Sequence, residues 1–83
     1  MPTVLRVHGY RFFFFSREGK EPAHVHVQHG SHYAKFWLSP VSLARTAGFR
    51  QSELGEIQRV LRENREYLEG RYHEHIRKLS SLD

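Results

Sequence analysis

Apolar positions follow two rhythms along this chain. They alternate with polar ones in the first half and recur every three or four residues in the second. "TVLRVHGYRFFFFS" predicts a hairpin, with His8-Gly9 as a two-residue loop. That loop pairs Val7 with Tyr10, Arg6 with Arg11, Leu5 with Phe12 and Val4 with Phe13. "AHVHVQH" and "HYAKFWL" flank Gly30-Ser31, where a glycine in first place suits a type II′ turn. The resulting register pairs Val27 with Ala34, His26 with Lys35, Val25 with Phe36 and His24 with Trp37. Val25, Val27, Ala34, Phe36 and Leu38 then share an apolar face, and His24, His26, Tyr33, Lys35 and Trp37 share the other. A slip of one residue would invert both faces.

"SPVSLARTAGF" predicts a short helix, with Ser39 at the N-cap, Pro40 at N1 and Gly48 past its end. Beyond it, Leu54, Ile57, Leu61, Leu68, Tyr72, Ile76 and Leu79 keep a helical stripe. Glu53 follows Arg50 by three residues, but arginine is a poor capping residue. A bend or end is expected near Gly70. The fold class is therefore α+β. It is a four-stranded antiparallel β-meander packed on one face by a short helix and a long C-terminal helix. One domain spans residues 1–83, with the meander over 1–39 and the helical part over 40–79.

Composition narrows the functional classes. A chain of 83 residues buries only about 60% of its extended surface, so function belongs on an open face or shallow cleft. It has no cysteine, which removes disulfides and thiolate metal sites and fits a reducing cytoplasm. The opening "MPTVLRVHGYR" lacks the apolar core of a signal peptide, and no apolar run approaches a membrane span. A cytoplasmic protein is the expectation. The net charge of +4 favours acidic partners, nucleic acid or protein.

Four of the seven histidines fall between residues 24 and 32. His24 and His26 share a strand face and can act together. His73 and His75, on a helix, stand about 200° apart at 100° per residue and cannot chelate as a pair. His24 and His26 supply two ligands where a zinc site takes three or four, and no spacing supports a third from His75, Glu74 or Glu18. No metal and no cofactor is expected in this protein. His8 and His29 suit turn or hairpin-end positions, and His32 closes the second hairpin.

His24, His26 and Lys35 instead make a candidate acid/base group. RNA cleavage requires a base, an acid and a cation, and Arg11 can add a second cation. Tyr33 and Trp37 would offer stacking surfaces. The same residues also fit a solvated sheet face with no chemistry. If they are catalytic, replacing His24 or His26 by Ala should reduce activity while leaving the fold intact. Phe13, Phe15 and Trp37, flanked by Arg6, Arg11 and Lys35, form an aromatic and basic patch of the kind that binds a partner. The candidate partners are RNA, a small acidic protein or a second copy of the chain.

"PTVLR…GYRFFF", the "P-x-H-V-H-V" strand, "AKFWL" and "GF…EL…I" resemble a bacterial family known as domain of unknown function 4160. The resemblance covers essentially the whole chain. Arg50 stands where similar sequences tend to have serine. Membership implies a small protein encoded beside a second one, in a pair resembling a toxin–antitoxin operon. The resemblance assigns no catalytic residue. The functional expectation is a toxin-like partner that acts on or binds RNA, and if an enzyme, a metal-independent ribonuclease. The alternative is a non-enzymatic binding module, either an antitoxin or a DNA-binding regulator. For the latter, the short helix, Gly48 turn and following helix loosely resemble a helix-turn-helix.

Overall fold

The computed structural model describes residues 3–15 and 21–81, with side chains to residue 78. Five antiparallel strands stand in chain order: β1 (Thr3–Val7), β2 (Tyr10–Phe13), β3 (His24–His29), β4 (His32–Leu38) and β5 (Val41–Ala47). Two helices follow, α1 (Gln51–Glu63) and α2 (Arg65–Ser81). The domain is α+β, as the sequence predicts, but the sheet has five strands rather than four.

Both hairpin turns form where the loop residues require them. His8 and Gly9 take positive φ angles of 52° and 85°, the two-positive pattern of a type I′ turn. Gly30 has φ 61° and opens the second turn. The β3–β4 register agrees with all four expected pairs, from His24–Trp37 to Val27–Ala34, and continues to His29–His32. In β1–β2 the agreement runs from Val7–Tyr10 to Leu5–Phe12 and then fails. A bulge sets Thr3, not Val4, opposite Phe13, and Val4 packs on the core instead.

The main correction concerns residues 41–47, which are a strand and not a short helix. Ser39 and Pro40 form a tight turn containing a cis peptide bond, and Leu38 pairs with Val41 across it. Helix propensity here is weak, because Val41, Ser42 and Thr46 all favour other conformations. Pairing along the open edge of β4 therefore decides the outcome. A second bulge, between Lys35 and Phe36, leaves Ala44 outside the β4–β5 pairing. The meander accordingly continues past residue 39, and the helical part begins at Gln51. A helix-turn-helix is excluded, because its first helix does not exist.

The helices cover the expected apolar face. Val25, Val27, Ala34, Phe36 and Leu38 are buried against Ile57, Val60, Leu61, Leu68 and Tyr72. Arg50 at the α1 N-cap has no acceptor to offer, so only half a capping box forms. Its backbone N–H donates to Glu53 Oε1 at 2.9 Å. The helical break falls at Asn64, not near Gly70. Asn64 folds its side-chain amide back onto the Val60 carbonyl at 2.8 Å, ending α1, while its own carbonyl accepts from Leu68 N–H to begin α2. The side chain of Leu79, part of the expected stripe, lies outside the described residues.

Candidate functional site

The alternation of β3 and β4 sends His24, His26, Tyr33, Lys35 and Trp37 away from the helix-covered core, as expected. Their exposure is not as expected. His24 and His26 are each 1% exposed and Lys35 is 7% exposed. This outer face is itself a small packed layer.

His26 lies at its centre. Its ring stacks on Phe13 at 5.6 Å and on Tyr33 at 5.8 Å, and Phe15 closes over it at 4.2 Å. His26 Nδ1 and the Tyr33 hydroxyl share a hydrogen bond of 2.8 Å. His24 lies beside it, ring to ring at 5.3 Å, with Trp37 and Tyr72 on its other sides. Tyr72 comes from α2, and its hydroxyl donates to the Glu21 carbonyl at 3.3 Å.

His24 Nδ1–H donates to the Pro22 carbonyl at 2.9 Å, which fixes the orientation of the ring. Nε2 faces Glu21 Oε1 at 3.7 Å. The same carboxylate oxygen accepts from Lys35 Nζ at 2.7 Å. Glu21 thus joins two of the three proposed acid/base groups. It precedes Pro22 in a polar loop, and nothing in the sequence pattern draws attention to it.

General acid/base catalysis requires an imidazole nitrogen within about 2.6–3.2 Å of the substrate atom that carries the transferred proton. Side chains that are 1% exposed do not offer that approach in this conformation. The proposed third metal ligands for this pair are also engaged elsewhere. His75 Nε2–H donates to the Phe15 carbonyl at 2.9 Å, and Glu74 pairs with Lys78 at 3.3 Å. Glu18 lies outside the described residues.

What the face presents to solvent is aromatic and cationic. Phe15 is exposed and Tyr33 and Trp37 are half-buried, so each retains some accessible ring surface. Arg11 covers Phe13 at 4.2 Å, Lys35 lies over Trp37 at 4.8 Å, and Arg45 approaches Tyr33 at 5.8 Å. Arg6, opposite Arg11, is exposed. Arg45 enters through β5, whose pairing of Lys35 with Arg45 brings it onto this face. Reading residues 41–47 as a helix hides it. Arginines therefore stand at both margins of the sheet with aromatic rings between them.

The fold and this face together define a small α+β domain with a basic, aromatic outer sheet surface. A family model described as "Domain of unknown function (DUF4160)" matches residues 9–73, and the chain belongs to that family. No curated protein and no solved structure matches it. Among the described residues, no helix is long and apolar enough to cross a membrane.

Proposed function

We propose that the protein is a non-enzymatic binding module that takes single-stranded RNA on its outer sheet face. In a toxin–antitoxin-like pair it would act through this binding rather than through cleavage. The observation that carries the reading is the arrangement of that face. Phe15, Tyr33 and Trp37 keep accessible ring surface between arginines on β1, β2 and β5. His24, His26 and Lys35 lie beneath, engaged with one another's neighbours. Stacking of a base on an exposed ring is worth about 1–3 kcal/mol and tolerates any sequence. Guanidiniums at the margins neutralise the backbone that links successive bases.

Trp37 is the only tryptophan, so its fluorescence reports on the face directly. The test is a titration of the full chain with a short unstructured RNA at several salt concentrations. Binding should quench Trp37 and weaken as salt rises. Replacing Arg11 or Arg45 by Gln should each lower the log–log salt slope by about 0.7 if that arginine meets one phosphate. The RNA should be recovered intact. Binding that ignores salt and both arginines would refute the proposal. So would cleavage of the RNA by the wild-type protein but not by a folded His26 variant, which would favour the ribonuclease reading.

A further inference from the structure

A second group of histidines lies at the far end of the β3–β4 hairpin. His29 and His32 are direct cross-strand partners on either side of the Gly30-Ser31 turn. By the alternation that puts Val25 and Val27 on the core side, both imidazoles project on the helix side of the sheet. The hairpin tip there meets the first turn of α1. One donor atom each from His29, His32 and Glu53 lies within 4.8 Å of the others. From these residues we propose a binding site for a zinc-like divalent transition-metal ion, held by His29, His32 and Glu53 with a coordination position left for solvent.

The surroundings are built to hold these side chains. His32 Nδ1 is buried and has no hydrogen-bond partner among the described residues. An unsatisfied buried ring nitrogen costs about 1–3 kcal/mol, and a buried nitrogen left this way calls for an explanation. The His32 ring stands edge-on to Phe49 at 5.5 Å, and the His29 ring edge-on to Tyr10 at 5.5 Å. Two glycines make room for them. A Cβ on Gly48 would lie 2.6 Å from His32 Cδ2, and one on Gly9 would lie 3.3 Å from His29 Nε2. The Glu53 carboxylate is oriented by the Arg50 backbone N–H on Oε1. A carboxylate has two oxygens and about four lone-pair sites, so capping and metal ligation are compatible.

Two imidazoles and one carboxylate form the donor set of an open zinc site. Bonds of about 2.0–2.1 Å would draw tetrahedral donors to about 3.3 Å apart, a closure within reach of side-chain rotation. His29 is exposed and has freedom to move, while His32 and Glu53 are half-buried and already placed. The ion therefore has a route in from solvent. This site is separate from the outer sheet face, so it stands or falls independently of RNA binding.

The test is a zinc titration of the full chain, competed against a chromophoric chelator, with cobalt(II) as a spectroscopic substitute. The expected result is uptake of one ion per chain and a cobalt spectrum of four- or five-coordinate intensity. His29→Ala, His32→Ala and Glu53→Gln should each weaken binding. For the histidines the loss should exceed about 100-fold, more than removal of an outer hydrogen-bond partner costs. His73→Ala, on the exposed side of α2, should bind as wild type. His29 is exposed, so its variant stays folded and decides the matter even if His32→Ala does not. No uptake at zinc concentrations up to the chelator's limit would overturn the site. Uptake unchanged in His29→Ala, or lost equally in His73→Ala, would overturn it too.

Discussion

Replacing His26 by Ala tests whether its role is packing or chemistry. The side chain is 1% exposed and touches the rings of Phe13, Phe15, Tyr33 and His24. Aromatic pairs contribute about 0.5–1.5 kcal/mol each beyond burial, and truncating a buried phenylalanine or tryptophan to Ala costs about 3–5 kcal/mol. Imidazole is smaller and more polar, so the lower end applies, about 3 kcal/mol. Loss of its hydrogen bond to Tyr33 falls within that figure, since the half-buried hydroxyl can turn to water. A domain of this size has a total stability of about 4–12 kcal/mol, so the variant should be folded but marginal. Its melting temperature should fall by about 12–24 °C. His26→Phe keeps the stack and loses only the polar contact, so it should cost about 1 kcal/mol. Urea denaturation of the three proteins, followed by circular dichroism, measures each step. A His26→Ala protein melting within about 2 °C of wild type would show that the outer layer does not depend on this ring. This burial replaces the expectation that His24 and His26 can be truncated without touching the fold.

Gly48→Ala should be costly for a single added methyl group. Its φ of 95° disfavours any Cβ, and that Cβ would meet His32 Cδ2 at 2.6 Å. The two effects together should cost about 2–4 kcal/mol in urea, and the clash part alone should disappear when His32 is also Ala. Glu21→Gln should cost about 1 kcal/mol, because Lys35 is nearly buried while the carboxylate opposite it is 44% exposed and screened. A thermal melt that leaves Glu21→Gln indistinguishable from wild type at low salt would show that this pair carries no stability.

The two hairpins were legible because each rests on a local rule. His8-Gly9 and Gly30-Ser31 fix loop length, and alternation then fixes which side chains face the core. β5 was not legible from residues 39–47. Ser39-Pro40 reads equally as a helix start and as a turn, and the choice is made by β4, whose open edge no local pattern reveals. The outer face was legible in membership but not in depth. Alternation places His24 and His26 on it. Their burial depends on Phe15 closing over His26 and on Tyr72 arriving from α2, both set by tertiary packing. The break at Asn64 was missed for a related reason. Gly70 is the weaker helix former, but Asn64 has a side chain that bonds to its own helix and ends it.

The meander and the last helix also differ in how far apart their contacts lie along the chain. Strands that pair only with their sequence neighbours close short loops, and such contacts form early and fast. α2 closes the longest ones. Tyr67 donates to the Val4 carbonyl across 63 residues, His75 to Phe15 across 60, and Tyr72 to Glu21 across 51. Contacts of that span carry the largest loop-closure cost and are expected to form after the hairpins. Interactions absent from the transition state govern how fast a protein unfolds rather than how fast it folds. Removing these contacts, as in Tyr67→Phe, should therefore speed unfolding and leave the folding rate nearly unchanged, which stopped-flow denaturation kinetics would measure.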